Sequence, residues 1–159
     1  MEQQQLFIKM SILGWEAYMR RADQLFSNFT EEQFLAEIAP GKNRAIYLLG
    51  HLTAVHDRML PLLGLGEILY PLLEHPFLSN PDKSGLDFPS IPELLKYWSE
   101  VNTKLSDGFK TLSPNEWFNR HTAVTAEDFA KEPHRNKLNL LLNRTGHLAY
   151  HVGQLILLK

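Results

Sequence analysis

Apolar side chains recur at helical spacing along four stretches of the chain, and each stretch predicts a long helix. In the first, Leu6, Met10, Leu13, Ala17 and Leu25 mark one face of a segment from Gln3 to Phe29 that holds no proline. Thr30 and Gln33 then have capping-box spacing and predict a short helical turn, after which "APGKN" breaks the chain. A second helix is predicted from about Asn43 to Leu63, with Leu48, His51, Leu52, Val55, Met59 and Leu62 on one stripe and Pro61 near its end. The third starts at Ser90, which has capping-box spacing to Glu93 and is followed by Pro92 in the first turn, and it continues to about Leu112. The fourth occupies roughly Lys137 to Leu158.

The segments between these helices are uneven. "LGLGEILYPLLEHPFLSNPDKSGLDFPSIP" is rich in proline and glycine and reads as a long crossover, with one short helical turn around Glu67 to Leu73. "SPNEW" predicts another short turn, capped by Ser113 with Pro114 in first position. "FNRHTAVTAEDFAKEPHRN" reads as loop, with "HTAVT" as a short strand-like excursion. With no repeated strand pattern and no internal repeat, the chain is expected to be all-α: a four-helix bundle with a long crossover between helices two and three, which lets those two run parallel. Its 159 residues suit a single domain spanning 1–159.

Composition narrows the function. The 16 basic and 18 acidic residues give a net charge of −2, and neither sign forms a run. Nucleic acid and anionic membrane are therefore not expected as partners, since both require a concentrated basic surface. No apolar run approaches the roughly 18 residues of a membrane span, and "MEQQQLFIKMSILGW" lacks the features of a signal peptide, so a cytoplasmic location is expected. The absence of cysteine removes disulfides, thiolate ligands and a cysteine nucleophile together. Any metal must be held by His, Asp or Glu.

The fourth helix carries the candidate chemistry, in "NRTGHLAYHVGQLILLK". His147 and His151 lie about 40° apart on the helix surface, one turn above the other, within the arc of Leu140, Leu148, Leu155 and Leu158. Arg144 shares that arc and Gln154 sits on its flank. His51 makes the same departure on the second helix, inside the arc of Leu48, Met59 and Leu62. An inward histidine from one helix and an i, i+4 pair from another place three imidazoles around one point. Three protein nitrogens with an open position are the arrangement of a catalytic divalent metal site, which binds water or a substrate atom there. The competing reading is a set of core histidines with satisfied ring nitrogens.

"YLLGHLTAVHDRML" followed, after a long connection and a third helix, by "NRTGHLAYHVGQL" resembles the DinB-like (DinB/YfiT-like) superfamily of metalloenzymes over nearly the whole chain. The resemblance implies a four-helix bundle, often a homodimer, with one metal on a helix-two histidine and a helix-four HxxxH pair, here His51, His147 and His151. Gln154 continues the H-x-x-x-H-x-x-Q run. The implied metal is zinc or nickel. The implied chemistry is hydrolysis, or transfer to or from a low-molecular-weight thiol as cosubstrate, on a small-molecule substrate.

Other residues admit two readings each. Arg144 either binds a substrate carboxylate or reaches to the bundle end or a salt bridge. Gln154 either orients a ligand imidazole or is a surface amide. His56 falls at the edge of its stripe and is expected to be partly exposed, while His75, His121 and His134 are expected in solvent. Trp15, Tyr18, Tyr47, Trp98 and Tyr150 are read as packing residues. The crossover is the expected wall or lid of the pocket, and Glu67 or Glu74 within it could complete a metal sphere. The alternative function is a non-catalytic dimeric bundle or interaction protein with a structural metal or none, in which "LILLK" packs on the core or on a second subunit.

Overall fold

Side-chain caps set where most of the helices begin. Thr30, Ser90 and Ser113 each accept from the backbone N–H three residues on, and the side chains of Gln33, Glu93 and Glu116 return the bond to the cap's own N–H. Thr125 and Asn136 cap in the simpler way, on Asp128 and Asn139. The computed structural model describes residues 2–159. Its helices are α1 (Glu2–Asn28), α2 (Glu31–Leu35), α3 (Ala45–Asp57), α4 (Met59–Leu63), α5 (Glu74–Phe77), α6 (Ile91–Thr111), α7 (Pro114–Trp117), α8 (Ala126–Lys131) and α9 (Lys137–Leu155), with 3₁₀ turns at Pro71–Leu73 and Ile156–Leu158. Among the described residues there is no strand, only the isolated bridges Glu37 to Arg44 and Arg120 to Asn136. The chain is all-α, and no described helix is long and apolar enough to cross a membrane.

The long helices lie where periodicity places them, with three local differences. The second splits into α3 and α4 at Arg58, because Pro61 has no N–H to give the Asp57 carbonyl one turn earlier. The helical turn expected at Glu67 to Leu73 begins only at Pro71 and runs to Phe77. The Asp57 carboxylate takes the N–H groups of Leu69 (2.8 Å) and Tyr70 (2.7 Å), which holds that stretch out of a helix. Finally, "HTAVT" makes turns rather than a strand, and the loop after it contains α8.

α1 packs chiefly on α9 and α3 on α6, with α3 also meeting α9. Tyr47 at the start of α3 meets Phe88 just before α6, whereas His56 near the end of α3 meets Asn102 midway along α6. α3 and α6 therefore run the same way. Trp15, near the middle of α1, meets Phe109 near the end of α6, while Asp23 further along α1 meets Trp98 nearer the start of α6, so α1 runs against them. The crossover makes the parallel pair possible by travelling back along α3. It is fixed at the end of α3 by Asp57, and at the start of α3 by Tyr47 Oη donating to the Asn80 carbonyl (2.8 Å) and by the Arg44–Asp82 ion pair (2.6 Å). One contiguous core results, with Trp15, Leu48, Leu52, Leu94, Leu105, Leu141 and Leu148 inaccessible to solvent. α3 is covered on nearly every side, and His51 is the one residue of the helix that is not fully buried.

Candidate metal centre

His51 emerges midway along α3, and His147 and His151 face it from adjacent turns of α9. Nε2 of His147 lies 3.2 Å from Nε2 of His51 and 3.1 Å from Nε2 of His151. The two outer rings are oriented from behind. His51 Nδ1 lies 2.9 Å from the Phe77 carbonyl, which can only accept, so Nδ1 carries the proton. His151 Nδ1 lies 2.7 Å from Gln154 Oε1 and donates in the same way. Both Nε2 atoms are thereby left as lone pairs aimed at the shared point. A proton on His147 Nε2 can satisfy one of them, whereas a cation satisfies all three nitrogens.

The spacing fits that cation. Nitrogens about 2.0–2.1 Å from one ion lie roughly 3.4 Å apart at tetrahedral angles and roughly 2.9 Å apart on an octahedral face. The two separations from His147, 3.1 and 3.2 Å, fall between these values, and the ligand atoms of His51 and His151 lie within 4.8 Å of each other. The rings are also in the protonation state that binds metal. Burial, and then the neighbouring His151 and His51, push the His147 imidazole down to about 4. Burial is likewise the main cause that lowers His51 and His151. His147 and His51 are half-buried and His151 is buried, between α3 and α9.

Each sequence-predicted site residue can now be placed. His51, His147 and His151 come together, and Gln154 touches His151. Arg144 lies one turn before His147 and is half-buried; among the described residues its side chain makes no hydrogen bond or salt bridge, and its Nε is buried without a partner. Neither Glu67 nor Glu74 joins the histidines: both are exposed, and Glu74 pairs with Arg58. His56 is not a partly exposed edge residue but fully buried, at 0% exposure, with its ring between Trp15 and Trp98 and its Nδ1 2.8 Å from Asn102 Oδ1. The one-sided stripe failed there because α3 has no exposed back. His75 and His134 are exposed as expected, but His121 is half-buried with its Nδ1 covered. The Phe77 carbonyl was invisible in the sequence, since every residue has one. Only the pinned crossover singles it out.

No curated protein matches the chain. The family model of the DinB superfamily, by contrast, matches residues 15–155, a span that contains His51, His147, His151 and Gln154. With that match over most of its length, the chain belongs to the DinB superfamily.

Proposed function

We propose that the protein is a metal-dependent enzyme in which His51, His147 and His151 hold one divalent cation, zinc or nickel, and which acts on a small molecule as a hydrolase or a thiol transferase. The observation that carries this reading is the convergence of three Nε2 atoms, two of them deprotonated by bonds made behind the ring. The bound cation would lower the pKa of water or of a low-molecular-weight thiol and so supply the nucleophile. The chain's own contribution is orientation: Phe77 and Gln154 fix the tautomers of His51 and His151, and no carboxylate of the described residues closes the remaining coordination positions.

The same reading takes α1, α3, α6 and α9 as a four-helix bundle forming one domain over residues 1–159, and places it in the cytoplasm, where small thiols are kept reduced. It also takes the protein as a homodimer. Leu142, Gly146, Tyr150, Gly153 and Leu157 recur at helical spacing along the exposed side of α9 and its terminal turn, and Leu6, Met10 and Leu13 do so on α1, the helix packed beside it. Light scattering on the purified protein should give twice the chain mass, and Tyr150→Glu should reduce it to one.

The metal reading is tested by elemental mass spectrometry of untagged protein, wild type beside His147→Ala. About one divalent ion per chain is expected in the first and none in the second. No ion in either, and no uptake of added zinc or nickel, would leave a non-catalytic bundle with three polar core histidines.

A further inference from the structure

Five buried side-chain polar atoms have no partner among the described residues: Trp15 Nε1, His56 Nε2, His121 Nδ1, Arg144 Nε and His147 Nδ1. Four of them are linked by one charge, since Arg144 acts on His56, His121 and His147, and on His51 as well. Arg144 differs from the arginines that have found a counter-ion. Arg44 faces Asp82, Arg58 faces Glu74 and Arg135 faces Glu132. The one charge that acts appreciably on Arg144 is another cation, Arg58. A guanidinium held half out of water, with a covered N–H and no acceptor, is costly unless something else supplies the acceptor.

Its position says where that acceptor sits. Arg144 precedes His147 by three residues, which puts it on the same side of α9 and about one turn along the helix axis. The loop after α7 is fixed to the end of α4 by Thr122, whose N–H and hydroxyl donate to the Leu62 and Pro61 carbonyls (3.1 and 3.0 Å). This fixes the half-buried His121, whose Nδ1 is covered, where the Arg144 charge acts on it. A planar N–H fork with a single positive charge matches a carboxylate.

We infer that Arg144 receives a carboxylate of the substrate, which makes the substrate class a small organic acid that reaches from the triad towards the Arg144 side of α9. The inference rests on the metal reading above, because the triad defines where the reacting atom sits.

The test uses cobalt-loaded protein and two probes, 3-mercaptopropionate and its methyl ester, with thiolate binding read from the cobalt absorption band. Wild type should bind the acid at least about tenfold more tightly than the ester. Arg144→Gln should keep its cobalt and its affinity for the ester but lose the preference, and Arg144→Lys should retain part of it. Unchanged preference in Arg144→Gln overturns the assignment while leaving the metal site standing. Tighter binding of inorganic phosphate than of the acid, lost in the same variant, overturns the carboxylate class. A wild-type protein that takes up no cobalt overturns the metal reading and this inference with it.

Discussion

At the scale of single residues, the site depends on bonds made on the far side of the rings. Gln154 accepts from His151 Nδ1 at 2.7 Å, and without that acceptor the imidazole can turn or take the other tautomer. Gln154→Leu should therefore still bind one ion at saturation but with about 10- to 100-fold lower affinity, measured by competition against a chromogenic chelator. Gln154→Glu keeps an acceptor and should restore most of the affinity; equal affinity in wild type and the Leu variant would mean that Gln154 is a surface amide. The sequence made this residue legible because an amide three positions after a ligand lies within reach on a helix. It could not do the same for Phe77, whose contribution is a backbone carbonyl, or for His56, whose burial depends on helices packed behind α3.

At the scale of elements, the crossover is what turns a helix with a histidine into half of a site. The Phe77 carbonyl reaches His51 because α5 lies against α3, and it lies there because Gly50 leaves space: a Cβ at that position would overlap the Phe77 ring. Gly50→Ala must therefore displace α5 or bend α3. It should cost about 1–3 kcal/mol in urea unfolding and weaken ion binding, although the substituted residue touches no ligand nitrogen. A variant as stable as wild type, with undiminished affinity, would show that α5 does not position His51. The four long helices were legible as helices from periodicity, which is local, but the buried face of α1 was not: Leu6, Met10 and Leu13 of the expected stripe are exposed, and Ile8, Trp15, Ala22 and Phe26 are buried instead. α8 carried a cap signal too, with Asp128 three residues after Thr125, but it buries no residue and so lacks the apolar period that would have drawn it out of the loop. The displaced turn at Pro71 was not legible, because the Asp57 side chain that prevents an earlier start is twelve residues away from Leu69.

At the scale of the whole molecule, His56 ties three long helices together and makes the fold sensitive to acid. Trp15 of α1 and Trp98 of α6 enclose its ring, and Asn102 of α6 accepts from Nδ1 while donating to the Trp98 carbonyl. Burial is the main cause that pushes this imidazole down to about 3, opposed by the Asn102 bond and reinforced by the nearby His147, Arg144 and His51. Below its ordinary value of 6.5 the unfolded chain takes up a proton that the folded chain refuses until about 3. Stability should thus be independent of His56 above that window and fall through it, by up to about 1.4 kcal/mol per pH unit for this one group. His51, His147 and His151 are lowered as well and add to the slope, so the comparison has to be made between variants, in chelator. His56→Phe leaves Asn102 Oδ1 without its donor and should cost about 1–3 kcal/mol at pH 7, yet its stability should decline less steeply than wild type between pH 6 and pH 4. Urea midpoints across that range give both slopes. Equal slopes would mean that the folded protein accommodates a charged His56, and the acid sensitivity would then belong to the three facing histidines alone.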